Sequence, residues 1–278
     1  MYDPKYARLV AQRMDRIPAE KLFFNELNVD QASLDNLHKN ENHQRLYIGN
    51  HISHADYALA WILFHRQGIK MPMIPAGENL NLKIFKLLHL DFGKLCGFFV
   101  DRDLIDSNGH GSFSHRKNLC RSIKYMANQG ESFFPFPDGG RDYEDRTLAR
   151  FKSGIIEILI KQDIPLDLVN VAFHYDNRVE EQYFSLLSKF KELKIEAKKR
   201  GNNVAASIYE AAYLACDGLS FLTRPLVKEF SDVGKAHIRI DEPIPLIEVV
   251  GASKSLDEKV CALRDFSKKR ICEMRSSC

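Results

Sequence analysis

From residue 46 onward, short apolar runs alternate with stretches whose apolar residues recur at helical spacing, and this alternation limits the fold more than any other feature of the chain. Candidate strands cover residues 46–48, 73–75, 97–100, 132–136, 166–173 and 236–240. Between them, Ala55, Leu59, Trp61, Ile62 and Leu63, then Ile84, Leu87 and Leu88, then residues 153–160 follow the helical period. Strands separated by helices pair side by side in one direction, so the predicted fold is α/β, a mainly parallel mixed sheet flanked by helices. Ahead of it, residues 6–14 read as helix, Pro18 breaks them, and residues 22–27 begin another piece. The expected organisation is therefore a small N-terminal helical segment, 1–41, followed by one large domain, 42–278. There is no internal repeat or low-complexity tract.

Composition removes several functional classes. The chain has 278 residues, 45% of them hydrophobic, enough to bury a large core. Lys and Arg number 40 against 37 Asp and Glu, and a net charge of +3 is too slight to argue for nucleic acid. The six cysteines, Cys96, Cys120, Cys216, Cys261, Cys272 and Cys278, have no paired metal spacing, and no secretory leader precedes them. Reduced thiols in a cytoplasmic setting are expected. No run approaches the roughly 18 to 20 apolar residues that span a bilayer, so any membrane contact would be peripheral, at the inner face. One stretch leaves such a contact open: Lys189, Lys191, Lys194, Lys198, Lys199 and Arg200 interleave with Phe190, Leu193, Ile195 and Ala197. The competing explanation is a solvated helix face on which Glu192 and Glu196 supply i,i+4 pairs.

The chemistry concentrates in Asn50-His51-Ile52-Ser53-His54-Ala55-Asp56, immediately after the first strand. A neutral imidazole takes a proton from a hydroxyl, and a carboxylate beside it fixes the tautomer and stabilises the imidazolium that results. The same residues fit a structural role: Ser53-x-x-Asp56 is a capping box that starts a helix. Five residues apart on an ideal helix, two side chains diverge by about 140°, so His51 and Asp56 can meet only if His51 lies in the preceding loop.

Three further constellations follow. Cys96-Gly97-Phe98-Phe99-Val100-Asp101-Arg102 is a buried strand delivering an arginine to its far end. Phe136-Pro137-Asp138-Gly139-Gly140-Arg141 is followed by Lys152-Ser153-Gly154, and Leu168 to Tyr175 is an apolar strand ending in polar aromatics. Arginine grips phosphate in a planar, bidentate manner and paired glycines admit a ligand to the backbone; singly, each motif is also an ordinary ion pair, turn or helix start.

In this order the motifs resemble the glycerolipid acyltransferases, most nearly the glycerol-3-phosphate and dihydroxyacetone-phosphate O-acyltransferases. The family's His and Asp separated by four residues match His51 and Asp56. Its block of glycine, two phenylalanines and two arginines matches Gly97 to Arg102, and the stretch Pro75 to Asn81 is similar to one found ahead of that block. Its Gly-Gly-Arg block with a downstream Lys-x-Gly matches Phe136 to Arg141 and Lys152 to Gly154, and its last strand block matches Val169 to Tyr175. Gly234 to Pro245 is similar to the family's closing strand. The resemblance covers residues 42–246. The chain departs from the pattern at Asp101 for arginine, Asp138 for glutamate, Asp142-Tyr143 for Ser-Arg, and Asn170 for proline.

The resemblance implies an acyl transfer from an acyl thioester, coenzyme A or acyl carrier protein, to the sn-1 hydroxyl of glycerol-3-phosphate. His51 would act as base and Asp56 as its partner. Arg102, Arg141 and Lys152 would hold the phosphate, with Asp138, Gly139 and Gly140 shaping the acceptor pocket. No cofactor or metal is implied beyond the thioester co-substrate, and Phe98 and Phe99 read as core. Lysophosphatidate or dihydroxyacetone phosphate could be the acceptor instead. Asp101 and Asp138 leave room for a degenerate member that binds lipid or a partner without turnover. A metal hydrolase using His51, His54 and Asp56 would leave the later blocks unexplained. His174 reads as a substrate contact or as the polar end of a strand.

Overall fold

The computed structural model describes residues 24–53, 55–77, 97–100, 110–138, 147–149, 151–177, 181–209, 211–212, 234–252 and 254–278. Its main sheet takes the order β1 (Glu26–Val29), β6 (Lys235–Ile240), β5 (Asp167–Tyr175), β2 (Arg45–Gly49), with β7 (Ile244–Pro245) also paired to β5. β2 and β5 are parallel, in register from Arg45 opposite Asp167 to Gly49 opposite Val171. β1 and β6 are also parallel, whereas β5 meets β6 and β7 antiparallel. A second parallel pair, β3 (Ile74–Gly77) and β4 (Gly97–Val100), completes the strands among the described residues.

Phe133 links the two groups. It bridges Leu46 and Met73 in parallel sense, its N–H donating to the Arg45 carbonyl at 2.9 Å and its own carbonyl accepting from Tyr47 at 2.8 Å. The strands thus form one row, β1-β6-β5-β2-Phe133-β3-β4, a mixed and mainly parallel sheet as expected. β5 is buried along almost its whole length, which explains why residues 168–173 are mostly apolar on both faces of the strand rather than alternating.

Helices cover the sheet. α1 (Gln31–His38) is capped by Asp30, whose carboxylate accepts the Ser33 N–H at 2.7 Å. α2 (Ala55–Arg66) returns the chain from β2 toward β3, and α3 (His110–Asn128) returns it toward Phe133. α4 (Gly154–Ile160) and α5 (Glu181–Lys199) flank β5 in sequence. The short α6 (Leu246–Val250) packs on α7 (Leu256–Ser276), which opens with a full capping box between Ser255 and Glu258 and lies along β5.

Of residues 22–27, expected to begin another piece of the helical segment, 26 and 27 belong to an edge strand, and 22–23 lie outside the described residues. β1 and α1 both fall within residues 1–41 and both dock on β6: the Ile240 N–H donates to Ser33 Oγ and the Asn36 amide donates to the Ile240 carbonyl, each at 2.9 Å. Four residues are too few to show a period, and what makes them a strand is a partner some two hundred positions downstream. The expected helices at 6–14 and around 84–88 lie outside the described residues.

Asn170, where the family pattern has proline, has a structural explanation. Its amide donates to Asp241 Oδ2 at 3.2 Å, and Asp241 receives two bonds from Arg270 of α7, at 2.9 and 2.5 Å. An amide–carboxylate–guanidinium chain, buried at its Asn170 and Asp241 end, thus ties β5 to the C-terminal helix, and this pairing raises the Arg270 pKa further.

Candidate active site

β2 ends at Gly49, and the chain leaves the sheet through Asn50, His51, Ile52 and Ser53 before entering α2. Gly49 is required by packing: a Cβ there would stand 2.9 Å from the Phe134 ring, which is stacked on Phe136 at 4.7 Å between centroids. Asn50 then holds the departing loop against β5. Its amide donates to the Phe173 carbonyl at 3.0 Å and its Oδ1 accepts the Phe173 N–H at 2.8 Å.

Asp56 is the centre of the arrangement and is fully buried. Its Oδ2 accepts from His51 Nδ1 at 2.8 Å, from the Ile52 N–H at 2.8 Å and from the Ser53 N–H at 3.0 Å; its Oδ1 accepts from the Tyr175 hydroxyl. Ser53 Oγ in turn accepts the Ala55 N–H at 3.0 Å. The capping role and the His–Asp pair therefore coexist in one carboxylate, which fixes the start of α2 and orients the imidazole at once. The five-residue spacing works because His51 lies outside the helix.

This network settles the tautomer. Backbone N–H groups can only donate, so Oδ2 is an acceptor and His51 Nδ1 carries the proton it shares. In the neutral ring Nε2 is then the lone-pair nitrogen, and the Tyr57 hydroxyl donates to it at 3.1 Å. The imidazole is 4% exposed and sits among rings: Tyr57 is edge-on at 4.8 Å between centroids, Phe136 tilted at 5.1 Å, and Tyr57 and Phe136 meet each other at 4.8 Å.

Tyr175 is the contribution of β5. Stacked on Phe24 at 5.0 Å, it is buried, and its polar tip has its partner in the carboxylate. Tyr175→Phe leaves Oδ1 short of a charge-assisted bond, and the expected cost is about 2 kcal/mol of stability, read as a lower midpoint in denaturant with unchanged slope. His51 keeps its own bond to Oδ2 in that variant.

Three of the four sequence blocks thus converge. Phe136 of the third block touches the His51 ring, and Tyr175 of the fourth bonds Asp56. Asp138, buried, lies two residues beyond Phe136, and the Lys152 N–H donates to the Pro137 carbonyl at 2.7 Å, which sets the exposed Lys152 beside the same turn. Arg102, Gly139, Gly140, Arg141 and His54 lie outside the described residues. Phe98 packs against the core, as expected. His174 is half-buried on the face of β5 opposite Tyr175, where its ring lies 5.6 Å from that of His237 across the antiparallel pair. It does not join His51.

The sequence gives no sign of Tyr57, and it shows Asn50 and Tyr175 only as members of their motifs, without a role. Tyr175 carried a usable signal, since a tyrosine ending a fully apolar strand needs a partner for its hydroxyl. Both Asp56 oxygens accept from protein donors, and His51 Nδ1 faces one of them. No helix among the described residues is long and apolar enough to cross a membrane.

The profile of the family described as Acyltransferase matches residues 28–170. The chain is 25% identical over 209 residues to the glycerol-3-phosphate acyltransferase of Alteromonas mediterranea, a match spanning 73% of this chain and 22% of that protein. It is 31% identical over 144 residues to the mitochondrial glycerol-3-phosphate acyltransferase 1 of Rattus norvegicus, across 50% of this chain and 17% of that one. The chain therefore corresponds to less than a quarter of the length of these relatives. Among solved structures, the 1-acyl-sn-glycerophosphate (LPA) acyltransferase PlsC of Thermotoga maritima shares the fold, with a TM-score of 0.51 at 16% identity over 98% of this chain and 83% of that one. With the profile lying across β2, His51, Asp56 and the start of β5, this chain belongs to the Acyltransferase family.

Proposed function

We propose that this chain transfers a fatty acyl group from an acyl thioester, on coenzyme A or acyl carrier protein, to the sn-1 hydroxyl of glycerol-3-phosphate. The observation that carries the reading is the His51–Asp56 pair, with the proton held on Nδ1 and the Nε2 lone pair turned toward a hydroxyl. In the resting protein that hydroxyl belongs to Tyr57. The acceptor's hydroxyl takes its place, and the phenol gives way.

The reaction then needs few groups. Nε2 removes the acceptor's proton as its oxygen attacks the thioester carbonyl; Asp56 stabilises the imidazolium. The tetrahedral adduct collapses with loss of the thiolate, which recovers the proton from His51. No covalent acyl-enzyme forms, so no cysteine is required. Lys152, with Arg102 and Arg141, holds the phosphate, and Asp138, Gly139 and Gly140 shape the pocket. The names of the relatives support glycerol-3-phosphate as acceptor.

The deciding experiment presents labelled palmitoyl thioesters of coenzyme A and acyl carrier protein with glycerol-3-phosphate, dihydroxyacetone phosphate and lysophosphatidate in parallel. Glycerol-3-phosphate is expected to give the highest kcat/KM and a 1-acyl product. A preference for another phosphorylated acceptor would move the reading within the family, and no transfer to any of them would favour a binding protein without turnover.

A further inference from the structure

α3 carries a surface that the acyl-transfer chemistry does not use. Its nineteen residues include Arg116, Lys117, Arg121 and Lys124 and neither Asp nor Glu, in a chain whose total net charge is only +3. One side of the helix is core: Ile123 and Ala127 are buried, and Leu119 and Met126 pack beside them. At about 100° per residue, Phe113, Lys117, Arg121, Lys124 and Tyr125 fall within an arc of about 120° on the far side. Both aromatics there are open to solvent, Phe113 at 71% and Tyr125 at 64%. They stand about 18 Å apart along the axis, with the three cations between them.

A single exposed aromatic is ordinary, but two that bracket a cationic patch on a helix with no acid are not explained by packing. Lysine and arginine on the polar side with large rings at the boundary are the features of a helix lying in the plane of a bilayer. α5, the basic stretch singled out from sequence, is a poorer match. Glu192 and Glu196 sit within it, and Glu196 is paired to Arg200 just past its end.

We propose that α3 lies flat on an anionic lipid surface, Phe113 and Tyr125 entering the interface while Lys117, Arg121 and Lys124 face the headgroups. An acidic protein would engage the cations too, but its contacts favour aromatics gathered at the centre of a patch, whereas these rings stand at the two ends with the cations between them. The proposal is independent of the acyl-transfer reading, because its test requires binding and no turnover.

The full chain is sedimented with vesicles of phosphatidylcholine alone and of phosphatidylcholine mixed with phosphatidylglycerol. Binding is expected only with the anionic vesicles and weakens as salt is added. The triple variant Lys117→Gln, Arg121→Gln, Lys124→Gln is expected to lose about fivefold per removed cation, about a hundredfold in all. Phe113→Ser with Tyr125→Ser also lowers binding with an unchanged circular dichroism spectrum, whereas Lys191→Gln with Lys198→Gln on α5 leaves it as it was. Wild-type protein that ignores anionic vesicles, triple variants that bind like wild type, or capture of an acidic carrier protein through these cations without vesicle binding would each overturn the proposal.

Discussion

His51→Ala lowers acyl transfer by about 10³-fold or more, the range expected when a positioned general base is deleted, and no change of acceptor concentration restores it. Both kcat and kcat/KM fall, because the lost proton acceptor acts in the transition state. From sequence alone, a loop imidazole contributes little to folding. The structure alters that expectation, since the ring is buried and bonded at both nitrogens. The variant leaves Asp56 with three donors instead of four and opens a space against Phe136. A loss of about 2 kcal/mol follows, small enough for the protein to remain folded. Retained thermal cooperativity together with absent turnover is the combination to look for. Substantial residual activity in a folded His51→Ala protein would remove the imidazole from the mechanism.

Asp56→Asn carries the second large effect, and it separates charge from hydrogen bonding. The amide oxygen can take the place of Oδ2 and accept from His51, Ile52 and Ser53, while its NH2 group turns toward the Tyr175 hydroxyl, which can accept. The helix start survives and the imidazole stays in place. What disappears is the negative charge opposite the imidazolium, and turnover falls by about 10³- to 10⁴-fold, as in other His–carboxylate pairs treated this way. Asp56→Ala differs, because four buried donors lose their acceptor together. That variant is expected to lose several kcal/mol of stability as well as activity. Assays of both variants beside their urea midpoints distinguish the outcomes: if Asn and Ala lose turnover only in proportion to stability, Asp56 serves the fold alone.

Much of the framework could be read from the residues, and the reasons for the remainder are physical. The strands at 46–48 and 166–173 announced themselves as bounded apolar runs because they are covered on both faces. β1 could not be recognised, since its four residues become a strand only by pairing with β6. The His51–Asp56 pair was legible as chemistry and as a cap, and the coordinates join the two roles in one carboxylate. Tyr57 and Tyr175 were invisible as partners because one contact depends on the rotation of α2 against the loop and the other spans more than a hundred residues. Asn170 looked like a departure from the family's pattern and proves to be the start of a polar chain to Arg270.

Asn50 gives the loop its footing. By offering both a donor and an acceptor to Phe173, its side chain imitates one more peptide unit of β2, so the ladder continues for a rung after the main chain has turned away. The segment bearing the base is thereby free to follow a path no strand could take, yet it inherits the stiffness of the sheet's centre. Aspartate in that place would meet the Phe173 carbonyl with a second acceptor. The loop would then come loose at its root, with every atom of the His–Asp pair still present and none of it aimed.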